Sequence, residues 1–132
     1  MTERPSPTSK RILLVDDEEH IVAATKDYLS GLGFDVDSAH ELEEAQALLA
    51  TGTYGLVIAD LRLTSAHGRE GLELVSYLHE RAPHTRVIVL TAYSSPEVEA
   101  EVRRRGADVV MSKPQPLVQV AQTASKLLEL AS

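Results

Sequence analysis

The chain has 132 residues, a length that suits one domain with a single hydrophobic core. Its 43% of apolar and 25% of charged residues are ordinary for a globular protein, and its net charge of −7 argues against nucleic-acid binding, which requires a basic surface. The chain contains no cysteine, which excludes disulfides, thiol catalysis and cysteine-ligated metals.

The chain begins with a polar segment. Residues 1–9 are polar and contain prolines, so they are predicted to be a disordered lead; they lack the apolar centre of a secretory signal. No apolar run approaches the roughly 20 residues of a membrane-spanning helix, so we expect a cytoplasmic protein without a membrane contact. Residues 10–132 are predicted to form one domain, since no linker, repeat or low-complexity tract divides them.

Three short apolar runs predict strands that are buried on both faces of a parallel sheet. These runs are Ile12–Val15, Leu56–Ala59 and Val87–Leu90. Two weaker segments are predicted to be edge strands. In the first, apolar and acidic residues alternate over Phe34–Ser38, and the second is the short run Val109–Met111.

Amphipathic helical patterns separate these strands. The first helix is predicted to end at Gly33, and the fourth to begin at Ser95-Pro96, which supply a cap and a first-turn proline. The apolar stripes are, in chain order, Ile21, Tyr28, Leu29 and Leu32; Leu42, Ala45, Leu48 and Leu49; Leu74, Val75 and Leu78; and, in the fifth helix, Leu117, Val120, Ala121, Ala124 and Leu128. Five strands that alternate with five helices predict a single doubly wound α/β domain, (βα)₅, with a parallel sheet.

Polar or charged side chains follow four of the five predicted strands. Asp16 and Asp17 follow the first, Asp60 the third, Thr91 the fourth and Lys113 the fifth. The carboxyl ends of parallel strands lie at one edge of a sheet, where ligands bind beside the topological switch point. If the strand order is 2-1-3-4-5, the first and third strands are neighbours, and these side chains share one site.

This set of side chains has a definite chemistry. Two carboxylates about 4 Å apart repel each other by on the order of 4 kcal/mol at an effective dielectric constant near 20. A cluster of three must therefore raise a pKa or recruit a cation, and oxygen ligands without His or Cys favour Mg²⁺. Lys113 and Thr91 could contact phosphoryl oxygens. The set supports attack by a carboxylate on an activated phosphoryl group, which gives an acyl phosphate.

Each residue also has a simpler interpretation when it is taken alone. Asp16 and Asp17 could be acidic residues at a helix N-terminus, where the helix dipole favours negative charge. Asp60 could be a solvated loop residue, Thr91 a helix cap and Lys113 a surface lysine. The coincidence of such groups at four separate strand ends is what favours a site.

Four motifs, in this order and spacing, resemble the receiver domain of two-component response regulators. They are ILLVDDEEH (Ile12–His20), LVIADLRL (Leu56–Leu63), VIVLTAY (Val87–Tyr93) and SKP (Ser112–Pro114). The resemblance covers nearly the whole chain and identifies residues 10–132 as a receiver domain. It implies a flavodoxin-like or CheY-like three-layer sandwich with the strand order 2-1-3-4-5.

The resemblance also implies roles for individual residues. The Mg²⁺ ligands would be Asp16, Asp17, Asp60 and the backbone carbonyl of Arg62. Asp60 would be the phosphoacceptor, Thr91 the switch hydroxyl and Lys113 the phosphate-contacting lysine, with a cis bond to Pro114. The chain would be a phosphorylation switch and not an enzyme, apart from its own phosphorylation and slow dephosphorylation.

The partners implied by the resemblance are a sensor histidine kinase or a histidine phosphotransfer protein as donor. A downstream target or output domain would bind the face formed by the fourth helix, fifth strand and fifth helix, and a homodimer is left open. This chain departs from the family pattern at Val110, where an aromatic residue is usual, and in residues 61–71, which are predicted to form a longer loop than usual.

Three rival functions fit the sequence less well. An interaction module that no longer takes phosphate would not need a cluster of like charges. A phosphatase of the haloacid dehalogenase type requires Asp-x-Asp after the first strand, where this chain has Asp16-Asp17-Glu18. A nucleotide-binding site is disfavoured because the first strand–helix turn is acidic rather than glycine-rich.

Overall fold

The structure, a computed structural model, describes residues 11–60, 68–92 and 95–131. The predicted lead, residues 1–9, lies outside this part of the chain. Of the predicted loop over residues 61–71, residues 61–67 also lie outside it, and residues 68–71 belong to a helix instead. The strands are β1 (Arg11–Val15), β2 (Asp35–Ala39), β3 (Leu56–Asp60), β4 (Arg86–Thr91) and β5 (Val109–Ser112). The helices are α1 (Glu19–Gly31), α2 (Leu42–Thr51), α3 (Gly68–Arg81), α4 (Pro96–Arg104) and α5 (Leu117–Ala131). None of the helices described is long and apolar enough to cross a membrane.

All strand pairs in the sheet are parallel, and the strand order is β2-β1-β3-β4-β5. This confirms the predicted (βα)₅ architecture and its strand order. β1 and β3 are neighbours, with Val15 opposite Ala59, so the residues that follow Val15 emerge beside the end of β3. Asp60 in turn lies opposite Leu90 of β4.

The sheet separates two apolar layers, and β3 shows how its strands serve both. Val57 and Ala59 pack into the layer that contains the buried residues of α2, α3 and α4. Leu56 and Ile58 pack into the layer that contains those of α1 and α5. All four side chains are fully buried. A continuous apolar run without alternation is the pattern that such a two-sided strand requires.

The buried face of α1 differs from the prediction. Ile21 and Leu32 were expected to face the core, but they are 45% and 54% exposed. The buried residues of α1 are Val22, Thr25 and Leu29. Leu29 of the predicted stripe is buried as expected and Tyr28 packs partly against the core, but Val22 and Thr25 take the core positions that were predicted for Ile21 and Leu32. Ile21 and Leu32 consequently face outward.

Local side-chain pairs hold both ends of α4. The Ser95 hydroxyl accepts a hydrogen bond of 3.2 Å from the backbone N–H of Val98, as expected for a helix cap. At the other end, Arg104 and Arg105 pair with Glu101 at 2.5 and 2.8 Å. These arginines therefore have partners on their own helix, and their charges also complement the helix dipole.

The turn after α4 depends on a glycine. Gly106 has φ +123°, and a Cβ added there would lie 2.8 Å from the His79 Cβ and 2.9 Å from its Nδ1. We expect Gly106→Ala to lower the free energy of unfolding by about 2–3 kcal/mol, because a steric clash adds to backbone strain. Urea denaturation measures this loss.

Gly33→Ala is the matched control. Gly33 has φ +102°, but no atom lies within 4 Å of the added Cβ. In this variant the free energy of unfolding should therefore fall only by the cost of backbone strain, about 1 kcal/mol. Equal losses in the two variants would mean that His79 moves away from the new methyl group without cost.

Candidate functional site

The carboxyl ends of β1, β3, β4 and β5 form one edge of the sheet, where the residues predicted to make a site are found. Asp16 follows β1 directly, Asp60 is the last residue of β3 and Thr91 is the last residue of β4. Lys113 follows β5, and its backbone N–H donates to the carbonyl oxygen of Thr91 at 2.9 Å. Sheet topology thus gathers residues that are far apart in the sequence.

An ion pair joins the lysine to the central aspartate. The Nζ of Lys113 donates a hydrogen bond of 2.6 Å to Oδ2 of Asp60, and their side chains are 30% and 9% exposed. Burial opposes the charge of Lys113, but the hydrogen bond and negative charge of Asp60, together with Asp16 and Glu18, outweigh it. The pKa of Lys113 is therefore raised above its ordinary value. The bond from Lys113 to Pro114 is cis.

Asp16 is the buried carboxyl of the site, with 3% of its surface exposed. Burial raises its pKa to about 7, and the charge and hydrogen bonding of Asp60 act in the same direction. A backbone hydrogen bond from Glu18 and the positive charge of Lys113 oppose that rise. The neighbouring carboxyl of Asp60 thus disfavours the ionised form of Asp16, and a cation beside them would favour that form.

The backbone around Asp16 fixes the position of this carboxyl. Its Oδ1 accepts a hydrogen bond of 3.0 Å from the backbone N–H of Glu18, and its own N–H donates to the carbonyl oxygen of Ala39 at 3.0 Å. Our sequence reasoning missed both partners. An Asp that bonds the N–H two residues later is a common turn, so Glu18 could have been found from the sequence. The hydrogen bond to Ala39 could not have been found in this way, because it joins residues that are distant in the sequence.

The acidic pair is divided between the interior and the surface. Asp17 is exposed, whereas Asp16 is buried. In the part of the chain that the structure describes, no three Asp, Glu or His side chains are grouped so that they could hold a metal ion. The structure therefore brings Asp16, Asp60 and Lys113 together and leaves Asp17 at the surface. The predicted fourth ligand, the carbonyl of Arg62, lies outside the described residues.

Thr91 places a hydroxyl at the same edge. The residue is 1% exposed, and its Oγ1 has no hydrogen-bond partner among the described residues. Leaving a buried hydroxyl unpaired costs about 1–3 kcal/mol, so this group is a ready donor for an oxygen of a bound group. Val110, which departs from the family pattern, is partly buried in the layer of α2, α3 and α4.

The donor set suits a hard cation and a phosphoryl group together. Asp16 and Asp60 offer carboxylate oxygens, which are the ligands that Mg²⁺ prefers. Lys113 offers a flexible positive charge, and Thr91 offers a hydroxyl without a partner in the described structure. These groups can surround a phosphoryl group with positive charge and hydrogen bonds.

Comparisons with known proteins show which family the chain resembles. The family model described as response regulator receiver domain matches residues 12–125. The chain is 32% identical over 121 residues to the response regulator protein PilR of Pseudomonas aeruginosa, covering 92% of this chain and 26% of that protein. It is 33% identical over 128 residues to the alginate biosynthesis transcriptional regulatory protein AlgB of the same species, covering 97% and 28%. The chain thus spans about a quarter of the length of these curated relatives.

A solved structure shows the same fold. The CheY-like response regulator receiver domain protein from Methanospirillum hungatei superposes with a TM-score of 0.83 at 27% sequence identity. The superposition covers 92% of this chain and 94% of that one. The likeness therefore extends over the whole fold and is not confined to one motif.

Proposed function

Because the chain belongs to the family of response regulator receiver domains of two-component systems, we propose that it is a phosphorylation switch with Asp60 as its phosphoacceptor. The observation that carries this proposal is the grouping of Asp16, which is buried, with the ion pair of Asp60 and Lys113 at the carboxyl edge of the sheet. The donor would be a sensor histidine kinase or a histidine phosphotransfer protein, and we expect a cytoplasmic location.

In the proposed reaction, a carboxylate oxygen of Asp60 forms a bond to the phosphorus as the bond between phosphorus and the donor imidazole nitrogen breaks. The electron pair of that bond stays with the imidazole. Lys113 would move from Asp60 Oδ2 to an oxygen of the phosphoryl group, which keeps its positive charge paired throughout. Neither residue gains or loses a proton in this step.

The proposed metal ligands are Asp16, Asp17, Asp60 and the backbone carbonyl of Arg62. Mg²⁺ held there would neutralise charge on the transferring phosphoryl oxygens. Asp16 fits this role because its carboxyl is held by the backbone N–H of Glu18 and lies close enough to Asp60 for the two to interact. Asp17 is exposed, so we propose that it completes the shell from the solvent side, directly or through water.

The proposed switch runs through Thr91. Its buried hydroxyl would donate a hydrogen bond to a phosphoryl oxygen. The backbone hydrogen bond from Lys113 to Thr91 would then make both residues respond to phosphorylation. Since Thr91 ends β4 just before α4, we propose that the response is transmitted to the face of α4, β5 and α5. A downstream target or output domain would bind there.

Intact mass spectrometry tests the phosphoacceptor. The wild type, treated with acetyl phosphate and Mg²⁺, should gain one phosphoryl group, about 80 Da, and Asp60→Ala should gain none. Asp27→Ala is the control, because Asp27 is an exposed aspartate on α1, away from the site. An Asp60→Ala variant that still gains the mass would disprove the assignment.

A module that binds partners without phosphoryl transfer is a second candidate. The exposure of Asp17 favours it, since the described residues then offer only two buried carboxyls at the site. The same measurement separates the two functions. A wild-type chain that remains unlabelled with Mg²⁺ and excess acetyl phosphate would support the binding module.

A further inference from the structure

A cavity lies at the amino edge of the sheet, where the parallel strands begin. It has a volume of about 290 Å³ and is lined by the end of α3, the start of β4, the last turn of α4 and the residues between α4 and β5. Arg86 is the first residue of β4, and Asp108 directly precedes β5. Asp60 and Thr91 are the last residues of their strands, so the cavity and the candidate phosphoryl site lie at opposite edges of the sheet.

The basic side chains that line this cavity come from three different elements. Arg86 belongs to β4, Arg103 to the last turn of α4 and His79 to the last turn of α3. Gly106 allows the imidazole to approach the turn after α4, because a Cβ at this glycine would lie 2.9 Å from Nδ1 of His79. Among the residues that line the cavity, Asp108 alone is acidic.

Asp108 contacts both arginines, but its carboxylate pairs with only one of them. Its Oδ1 accepts a hydrogen bond of 3.2 Å from Nη1 of Arg86, and its Oδ2 accepts one of 2.8 Å from the backbone N–H of Val87. Arg103 instead donates a hydrogen bond of 3.4 Å to the uncharged carbonyl oxygen of Asp108. Two guanidinium groups and one carboxylate thus line a cavity in a chain whose net charge is −7. This local excess of positive charge favours an anionic ligand.

A phosphate group suits this arrangement better than a carboxylate. A guanidinium carries five N–H donors, and the contacts with Asp108 use one donor of each arginine, so donors remain for a ligand. The two oxygens of a carboxylate lie in one plane and suit a single guanidinium, whereas phosphate oxygens accept hydrogen bonds from several sides. Ala82, Pro83 and Ala107 add apolar walls, which suit a small organic body attached to the phosphate.

We propose that this cavity binds a small phosphomonoester through Arg86, Arg103 and His79. The phosphate group lies between the two guanidinium groups, and the imidazole donates a further hydrogen bond. Such a ligand connects α3, β4 and α4 and gives the domain a binding function besides phosphoryl acceptance. The proposal does not depend on the phosphoryl site, because no residue of that site lines the cavity.

Titration with phenyl phosphate, followed through the backbone amide signals of the isotope-labelled protein by NMR, tests the site. EDTA is present, so that no metal ion attracts phosphate to the carboxyl edge, and sodium chloride at the same ionic strength is the control. We expect saturable shifts at the amides of Val87, Ala107 and Asp108. Inorganic phosphate should shift the same amides with lower affinity, because it makes no contact with the apolar walls. Shifts that sodium chloride reproduces, or shifts confined to the carboxyl edge, would overturn the proposal.

Substitution of the arginines tests the contacts themselves. Arg86→Gln and Arg103→Gln should each raise the dissociation constant for phenyl phosphate about 10-fold, because each removes a charge-assisted hydrogen bond. Arg104→Gln is the matched control, since it removes the same charge from the next position of α4, where the side chain pairs with Glu101 and does not line the cavity.

Circular dichroism and labelling by acetyl phosphate show whether the three variants are folded. If Arg86→Gln is unfolded because Asp108 has lost its partner, the comparison of Arg103→Gln with Arg104→Gln still decides the question. Equal affinities for phenyl phosphate in these two variants would contradict the proposal, because the charge of α4 would then act at a distance and not through contact with the phosphate.

Discussion

Asp16→Asn should make the metal-free protein more stable near pH 8, by on the order of 2–4 kcal/mol. Asp16 is 3% exposed, and its burial raises its pKa to about 7. Near pH 8 the wild-type carboxyl is therefore charged in a place that favours its neutral form. Asparagine keeps the size of the side chain and removes the charge, so the cost of burying that charge disappears.

The same pKa predicts how the stability of the metal-free wild type depends on pH. The ordinary pKa of this carboxyl is 3.8, and in the folded chain it is raised to about 7. Between these values the folded state binds more protons than the unfolded state, so the free energy of unfolding falls as the pH rises. Below pH 3.8 and above about pH 7, Asp16 contributes no slope.

Urea denaturation at several pH values, with EDTA present, measures both effects. Asp16→Asn should lack the fall in stability between about pH 4 and pH 7 that the wild type shows. The matched control is Asp27→Asn, a change of the same kind at an exposed position of α1. If Asp16→Asn kept the wild-type slope, the carboxyl at position 16 would not be the group that titrates near pH 7.

Much of the fold could be predicted because its central strands carry an unambiguous pattern. β3 is apolar at every position from Leu56 to Ala59, and only a strand covered on both faces suits such a run. The ends of β4 were less predictable. Arg86 and Thr91 belong to this strand because their backbones pair with β3 and β5, and the polarity of the side chains hides that pairing.

The rotation of α1 could not be predicted from its sequence. The predicted stripe comprises residues 21, 28, 29 and 32, and residues 22, 25 and 29 form a second stripe at helical spacing that shares Leu29 with the first. Hydrophobicity favours the first stripe, yet the helix buries the second and leaves Ile21 and Leu32 exposed. Packing against α5 and the sheet decides between them, and that information lies elsewhere in the chain.

The position of the site could be predicted from topology, but the burial of each residue could not. Asp60 and Lys113 are 53 residues apart and meet only because their strands end at the same edge of the sheet. Adjacent Asp16 and Asp17 have the same chemistry in sequence, yet the turn to Glu18 buries the first and exposes the second. The difference in burial between the two residues depends on the direction that the backbone takes after β1, which the residue types alone do not reveal.

Lys113→Met should slow labelling by acetyl phosphate about 10- to 100-fold, the range for loss of a charge-assisted hydrogen bond of about 1.5–3 kcal/mol. The ammonium group of Lys113 contacts Asp60 at 2.6 Å. Without this positive charge, the repulsion between the incoming phosphoryl oxygens and the two carboxyls is less well neutralised. Methionine keeps the length and apolar character of the stem, so the change isolates the charge.

Labelling rates from intact mass at a fixed concentration of acetyl phosphate and Mg²⁺ measure this effect. Lys26→Met is the matched control, because it removes the same charge from an exposed position of α1 and should label at the wild-type rate. Labelling of Lys113→Met at that same rate would mean that the lysine serves only to neutralise Asp60 before the reaction. The ion pair would then stabilise the resting carboxylate and contribute nothing to the transfer, because only contacts that are stronger in the transition state accelerate a reaction.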